Sequence, residues 1–156
     1  MRILFVCTGN TCRSALAEAI ARKLTIERGI VDIDVASAGT SAWDGASASD
    51  GALLVGLERG LDLNAHRSRQ LDRDLVQSAD LVLAMGPHHL ERIEALGGAG
   101  KGHLLTAYAS RGTQARPVND PMGGELDVYR ATADELEREV LLVLDRVAAE
   151  HGSGPA

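Results

Sequence analysis

The sequence opens with the apolar run Ile3-Leu4-Phe5-Val6 and continues with Cys7-Thr8-Gly9-Asn10-Thr11-Cys12-Arg13-Ser14. The apolar run predicts a buried strand, and the amphipathic spacing from Ala15 to Arg28 predicts a helix. A strand, a tight loop and a helix N-terminus in this order form an anion pocket. The N–H groups of the loop converge there, and the helix dipole adds positive potential.

Cys7 and Arg13 carry the chemistry that this pocket predicts. Cys7 ends the predicted strand at the rim of the pocket, where positive potential favours the thiolate. Arg13 follows six residues later, and its planar guanidinium suits two oxygens of a phosphate group. A thiolate beneath a phosphate-shaped cradle is a nucleophile aimed at phosphorus. The alternative, a buried apolar Cys7 with a solvated Arg13, does not account for a Cys-x5-Arg-Ser spacing at a strand-to-helix junction.

Three further residues of the loop are predicted to shape it. Gly9 permits a backbone conformation that residues with a Cβ atom resist. Asn10 tolerates left-handed geometry, and its amide can brace the loop. Ser14 has two predicted roles, which are compatible with each other. It is a candidate helix N-cap, and its hydroxyl can donate to the Cys7 thiolate and make the sulfur a better leaving group.

Composition limits the classes of protein to which this chain can belong. Its 156 residues, 45% of them hydrophobic, suit one domain with a sizeable core. The net charge of −6 argues against a nucleic-acid partner, and no apolar run reaches the ~20 residues of a membrane span. Cys7 and Cys12 share one loop, which fits neither a disulfide framework nor a zinc site. We expect a cytoplasmic monomer without metal or cofactor, with a single domain over residues 1–150 and a frayed tail over residues 151–156.

Strands and helices are predicted to alternate along the chain. The predicted strands are residues 2–7, 32–36, 80–85 and 103–106. The predicted helices are residues 15–28, 50–59, 71–77, 87–96 and 126–149, and residues 108–119 are predicted to be loop. This alternation predicts an α/β fold, a doubly wound parallel sheet in three layers with helices on both faces. Ligands of such folds bind beyond the carboxyl ends of the strands, where Cys7 to Ser14 lies.

The chain resembles the low-molecular-weight protein tyrosine phosphatases from Met1 to about Val147. Beyond the loop at Cys7, the resemblance rests on Ser37-Ala38-Gly39, His66-Arg67-Ser68-Arg69-Gln70-Leu71, Ala79-Asp80-Leu81-Val82-Leu83-Ala84-Met85 and Asp120-Pro121. That family includes the bacterial protein arginine phosphatases, and the chain is most similar to that branch at Thr11 and Asp120-Pro121-Met122-Gly123-Gly124. The resemblance implies a four-stranded sheet with strand order 2-1-3-4 and a phosphoprotein phosphatase with a cysteinyl-phosphate intermediate.

The resemblance also implies roles for individual residues. The implied catalytic residues are Cys7, Arg13 and Asp120, of which Asp120 gives a proton to the leaving atom and later accepts one from water. The implied phosphate-binding residues are Thr8, Gly9, Asn10, Thr11, Cys12 and Arg13. The implied supports of the loop are Ser14, Ser37 and His66. Two simpler alternatives stay open, namely an ordinary Asp-Pro turn at Asp120 and a plain surface histidine at His66.

The implied substrate wall favours phosphoarginine over phosphotyrosine. Thr11 stands where most similar tyrosine phosphatases have a bulky aliphatic residue, and Met122 stands where they carry aromatics. Both differences remove apolar contact for an aryl ring. Trp43 is either a further wall of the site or a plug at the edge of the sheet. The expected partners are phosphorylated proteins and the expected product is inorganic phosphate, with a protein tyrosine phosphatase as the alternative.

Two other functions also use a loop cysteine. A thioredoxin-coupled arsenate reductase needs a downstream cysteine pair, and no cysteine follows Cys12. A phosphocarrier module of the sugar phosphotransferase type needs neither Arg13 nor Asp120. Both are less favoured than the phosphatase. Redox sensitivity is predicted as well, because oxidation of Cys7 can be followed by a disulfide with Cys12, unless Cys12 is only a small buried residue.

Overall fold

The structure, a computed structural model, describes residues 1–151. The strands are β1 (Arg2–Cys7), β2 (Asp34–Gly39), β3 (Leu81–Ala84) and β4 (Gly102–Leu104). The helices are α1 (Arg13–Glu27), α2 (Asp50–Glu58), α3 (Arg73–Ser78), α4 (Pro87–Ile93), α5 (Leu105–Ala109) and α6 (Leu126–His151). A π-helical turn, Glu94–Gly98, follows α4.

The strands form one parallel sheet in the order β2-β1-β3-β4, which confirms the predicted order. β1 lies between β2 and β3, and its residues Ile3 to Val6 are buried. A continuous apolar strand of this kind suits a parallel sheet that is covered on both faces. The register pairs Cys7 with Gly39, so the carboxyl ends of β1 and β2 lie side by side.

Helices cover both faces of the sheet, as predicted. On one face, residues of α1, α2, α5 and α6 enclose a core with Ile3 and Phe5 of β1. On the other face, residues of α3 and α4 pack against Leu4 and Val6 of the same strand. One stripe of α6 is buried along the helix, namely Tyr129, Ala133, Leu136, Val140, Leu144 and Val147. The nucleophile predicted at the end of β1 is therefore carried by an inner strand that is covered on both faces.

Two segments differ from the predicted elements. β4 ends at Leu104 and α5 follows at once, where the sequence predicts a strand to residue 106 and then a loop. Leu105 and Tyr108 of α5 are buried, and the Arg146 guanidinium of α6 lies 4.0 Å from the Tyr108 ring centroid. Packing on α6 thus fixes a short helix that local propensity does not indicate. β2 also lies later than predicted, because it pairs with β1 as far as Cys7.

The other predicted elements are present, with ends that differ by a few residues. α3 begins at Arg73 because the Asp72 carboxylate caps it by accepting a hydrogen bond from Leu75 N (2.8 Å). α6 continues to His151, and the rest of the predicted tail, residues 152–156, lies outside the described residues. Over residues 1–151, no helix combines the length and apolar character that crossing a membrane requires.

Candidate active site

Residues 7–14, which we call the phosphate loop, join the carboxyl end of β1 to the start of α1. Cys7 is the last residue of β1, and Arg13 is the first residue of α1. Cys12 occupies the N-cap position without a side-chain cap. The predicted capping role of Ser14 is therefore wrong, because Ser14 lies inside the first turn of the helix. Its hydroxyl oxygen instead lies 2.9 Å from Cys7 Sγ.

Asn10 is the centre of a buried network that holds the loop. It takes the left-handed conformation predicted for it, with φ 58°. Its amide nitrogen donates to Ser14 Oγ (2.8 Å) and to Ser37 Oγ (2.9 Å), and its amide oxygen accepts from Arg69 N (3.0 Å). His66 Nε2 lies 2.6 Å from Asn10 O. The predicted supports Ser14, Ser37 and His66 therefore all contact this one residue.

The conformational role predicted for Gly9 is wrong. Gly9 does not take a positive φ, and a Cβ atom there would meet Thr11 Oγ1 at 3.6 Å, an ordinary contact. Asn10 takes the left-handed conformation instead. The glycine that the site requires is Gly39 at the end of β2, where a Cβ atom would lie 2.4 Å from Thr8 O. Any side chain at Gly39 would push the phosphate loop away from the sheet.

Cys7 Sγ is buried and lies within hydrogen-bond distance of two groups of its own loop. Asn10 N donates to it at 3.3 Å, and the Ser14 hydroxyl lies within hydrogen-bond distance. The loop and the N-terminus of α1 therefore surround the predicted nucleophile with polar N–H and O–H groups.

Arg13 links the phosphate loop to the predicted acid. Its guanidinium is buried and donates from Nη1 to Val118 O (3.1 Å), while Nη2 lies 3.6 Å from Asp120 Oδ2. Arg13 Nε is buried and has no hydrogen-bond partner among the described residues. An unpaired buried donor is costly unless an acceptor binds there, so this nitrogen suits an anion oxygen. The Asp120 side chain is 51% exposed, and its Oδ1 accepts from Met122 N (3.0 Å).

The three predicted wall residues differ in burial. Thr11 is half-buried, whereas Met122 and Trp43 are exposed, the latter by 85%. The proposal that Trp43 plugs the edge of the sheet is therefore wrong. Its backbone oxygen accepts a hydrogen bond from Ser68 Oγ, while its ring faces solvent. Trp43 remains available to a substrate at the carboxyl edge of the sheet.

The Cys12 side chain contacts two hydroxyl groups from outside the phosphate loop. Its Sγ atom is 3.0 Å from Ser49 Oγ and 3.7 Å from the Tyr129 hydroxyl oxygen. Ser49 N also donates to Thr11 O (3.0 Å), which ties the start of α2 to the phosphate loop. Burial raises the pKa of Tyr129, so its hydroxyl stays protonated in this contact.

Several residues that touch the loop were not singled out from the sequence. Arg69 lies within a segment of family resemblance, whereas Glu18, Ser49 and Tyr129 sit in helix or loop patterns that carry no separate signal. Glu18 accepts a hydrogen bond from Ser37 Oγ (2.6 Å), so it supports the Asn10 network from α1. His89 is fully buried, and its Nε2 lies 2.8 Å from Thr8 Oγ1. Such contacts depend on tertiary structure, which sequence spacing does not reveal.

Comparison with known families identifies the chain. Residues 2–152 match the family described as low molecular weight phosphotyrosine protein phosphatase. The chain belongs to this family. The match spans both the phosphate loop and the segment around Asp120, and it confirms the recognition made from the sequence.

Individual relatives agree with this assignment. A protein-arginine-phosphatase of Bacillus subtilis is 39% identical over 137 residues, which cover 88% of this chain and 90% of that protein. The low molecular weight protein-tyrosine-phosphatase PtpB of Staphylococcus haemolyticus is 37% identical over 137 residues, covering 87% of this chain and 92% of that protein.

A solved structure supports the chemistry as well as the fold. It is of YwlE arginine phosphatase, a C7S mutant with a phosphorylated active-site serine. It superposes with a TM-score of 0.89 at 35% identity and covers 98% of this chain and 99% of its own. The chain is therefore a low-molecular-weight protein phosphatase by family, and this neighbour carries a phosphoryl group on its active-site residue.

Proposed function

We propose that this chain hydrolyses phosphoarginine in proteins, with Cys7 as nucleophile, Arg13 as phosphate ligand and Asp120 as general acid. The observation that carries the proposal is the contact of Arg13 with Asp120, 3.6 Å between Nη2 and Oδ2. It brings a carboxyl group beside a loop whose N–H groups and guanidinium suit a phosphoryl group. The implied phosphate ligands are the loop residues Thr8, Gly9, Asn10, Thr11, Cys12 and Arg13.

The reaction has two steps. In the first, Cys7 Sγ attacks phosphorus and the bond from phosphorus to the guanidinium nitrogen breaks, while Asp120 gives its proton to that nitrogen. In the second, water attacks the cysteinyl phosphate, Asp120 accepts the proton of the water, and the thiolate leaves with inorganic phosphate as product. The Ser14 hydroxyl, 2.9 Å from Cys7 Sγ, stabilises the departing thiolate.

The substrate preference rests on Thr11 and Met122, with Trp43 as a further contact surface. Thr11 offers a hydroxyl and little apolar area at the entrance, and Met122 is exposed beside the acid. The similarity to protein-arginine-phosphatases supports the same preference. A protein tyrosine phosphatase is the second candidate, since PtpB is nearly as similar.

Turnover of an aryl phosphate by the wild type and by Cys7→Ser tests the reaction, and only the wild type should release phosphate continuously. The substrate preference is tested by kcat/KM on phosphoarginine and phosphotyrosine peptides in the wild type and in Thr11→Ile. The wild type should prefer phosphoarginine, and isoleucine should move the ratio toward phosphotyrosine. If the wild type prefers phosphotyrosine and the ratio of the two kcat/KM values does not depend on residue 11, the second candidate, a protein tyrosine phosphatase, is favoured.

We also propose that the enzyme is redox-sensitive. Peroxide would oxidise the Cys7 thiolate to a sulfenic acid, and attack by the Cys12 thiol would release water and form a disulfide. Both cysteines are free and share the phosphate loop, which supports this proposal. Peroxide inactivation should be reversed by a dithiol in the wild type and poorly in Cys12→Ser. Equal recovery of the two proteins would contradict it.

We propose the cellular location, the partners and the oligomeric state from more general properties of the chain. Free cysteines suit a reducing compartment, so we propose a cytoplasmic protein. The family match supports phosphorylated proteins as partners. The net charge of −6 argues against nucleic acid, and we propose no membrane partner. We further propose one phosphatase domain, residues 1–150, that acts as a monomer. Sedimentation of the purified chain tests the monomer.

A further inference from the structure

We propose that His89 is a positioning residue of the phosphate loop, which holds the start of the loop through the Thr8 hydroxyl. The inference rests on the phosphatase reaction proposed above and adds a residue to it. His89 Nε2 lies 2.8 Å from Thr8 Oγ1, and Thr8 directly follows the nucleophile Cys7. The contact therefore acts on the first residue of the cradle.

Thr8 forms hydrogen bonds with the segments that follow β2 and β3, the two strands beside β1. Its carbonyl oxygen accepts a hydrogen bond from Ser41 N (3.0 Å), in the segment that follows β2. Its hydroxyl meets His89 in α4, which follows β3. Because β2 and β3 flank β1, the two contacts fix the orientation of Thr8 from opposite sides. A loop fixed in this way presents its N–H groups to a phosphoryl group without reorganisation.

The segment that carries His89 is itself anchored to the site. His89 is fully buried, and its backbone nitrogen donates to Gly86 O (3.1 Å). Met85, which precedes Gly86, donates from its backbone nitrogen to Val6 O (3.0 Å), and its backbone oxygen accepts from Val118 N (2.8 Å). Val118 O is in turn the acceptor of Arg13. One short segment thus contacts the strand of the nucleophile and the support of Arg13, so His89 is rigid relative to both.

The ring is suited to act as a neutral partner. Burial lowers the pKa of His89 to about 4, and the charges of His88 and Arg13 lower it further. The Asp120 carboxylate acts in the opposite direction but does not outweigh them. Nδ1 is buried and has no partner within the described part of the chain. Buried N–H groups without an acceptor are rare, so the proton belongs on Nε2, which then donates to Thr8 Oγ1. A neutral His89 braces Thr8 without adding a second cation beside Arg13.

The test measures turnover of an aryl phosphate and competitive inhibition by inorganic phosphate, both with the full chain. His89→Phe keeps a ring and removes the hydrogen bond, whereas His89→Gln keeps a donor on a flexible arm. We expect His89→Phe to lower kcat/KM and to weaken phosphate inhibition, each by about tenfold, the effect of one lost hydrogen bond. His89→Gln should recover most of this loss.

His88→Phe is the matched control. His88 is the exposed neighbour on α4, with its ring centroid 3.8 Å from that of His89. Among the described residues, the side-chain hydrogen bond of Thr8 goes to His89 and not to His88. Its replacement should leave both measurements within about twofold. A purely structural His89 predicts another pattern, a lower urea midpoint with unchanged phosphate affinity of the folded protein. That pattern would overturn the inference.

Thr8→Val tests the same bond from its other side, and it serves if His89→Phe does not fold. It should weaken phosphate inhibition as much as His89→Phe does, and the double variant should be no worse than either single one. Additive losses would show that the two residues act independently and would overturn the inference. Cys7→Ser separates the two claims. Turnover by Cys7→Ser would contradict the proposed function, whereas an inactive Cys7→Ser beside unchanged His89 and Thr8 variants would contradict the inference alone.

Discussion

The phosphate loop and the segment 117–125, which we call the acid loop, are built in opposite ways. The phosphate loop is enclosed, with Cys7, Asn10, Arg13 and Ser14 all buried. It is bonded to residues from three other segments, namely Ser37 of β2, His66 and Arg69 of the connection before α3, and His89 of α4. The acid loop is open, and its Asp120 side chain is 51% exposed. Its anchor in the core is Val118, whose nitrogen donates to Met85 O.

This difference matches what each loop has to recognise. The phosphoryl group has one shape and charge in every phosphoprotein, so a rigid cradle suits it. Leaving groups, in contrast, differ between substrates. The side chains of an open loop can be substituted in evolution without disturbing the phosphate loop. We infer that the buried residues of the phosphate loop determine whether the chemistry occurs, and that Thr11, the acid loop and Trp43 determine which phosphoamino acid is cleaved.

The largest expected effect falls on the acid loop. Asp120→Asn should lower kcat by roughly 10²–10⁴-fold, the usual contribution of general acid catalysis, and should leave inhibition by phosphate nearly unchanged. The loss should shrink for aryl phosphates whose leaving group needs no proton. Asp127→Asn, a nearby exposed carboxylate paired with Arg130, is the control and should keep its activity. An equal loss for every leaving group would assign the acid to another residue.

A smaller effect, on stability, is expected from the centre of the phosphate loop. Asn10→Ala removes the amide hydrogen bonds and puts alanine at φ 58°, so it should lower the free energy of unfolding by about 2–4 kcal/mol. Asn10→Gly loses the same bonds without backbone strain and should be less destabilised by about 1 kcal/mol. Urea unfolding measures both. Equal stability of the two variants would mean that the left-handed backbone costs nothing here.

The pH dependence of stability should also trace to the enclosed side of the site. Unfolding returns His89 from a pKa of about 4 to its ordinary value of about 6.5, so the unfolded state binds a proton that the folded state does not. Stability should therefore fall as the pH drops from about 6.5 to about 4. His89→Gln should show a shallower fall over that range in urea midpoints. Parallel curves for the two proteins would show that His89 does not contribute.

The smallest expected effect falls on Met122 and Trp43, the two exposed wall residues, which we call the rim. Met122→Ala and Trp43→Ala remove exposed side chains, so each should change the free energy of unfolding by no more than about 0.5 kcal/mol. Their kcat/KM values on phosphopeptides should change more than those on a small aryl phosphate. A loss of stability above 1 kcal/mol would mean that the rim is packed, and the contrast between the loops would weaken.

The sequence predicts much of the fold because its strongest patterns are local. The apolar run of β1, the periodic stripe of α6 and the Cys-x5-Arg-Ser loop need no tertiary information. The strand order came from family resemblance, since alternation alone does not fix it. α5 was missed because its five residues owe their helix to packing on α6.

The candidate site was predicted unevenly for a similar reason. Asn10, Ser37 and His66 meet as the resemblance implies, whereas the conformational role of Gly9 and the capping role of Ser14 were wrong. Asn10 already supplies the left-handed turn, so no glycine conformation is needed beside it. His89 lies among polar residues at the start of a short helix, and only the folded chain shows that it is buried against Thr8. The spacing of residues along the sequence does not reveal contacts of this kind.

The position of β1 has a consequence for how the enzyme loses activity. β1 pairs with a strand on each edge and is covered on both faces, so its amide protons should exchange with solvent only when the whole domain unfolds. Amide protons of the acid loop should exchange through local openings that leave the sheet intact. Native-state hydrogen exchange can measure both free energies. Between them lies a population whose phosphate loop is intact but whose proton donor is displaced, so mild denaturant should lower turnover before it weakens phosphate binding.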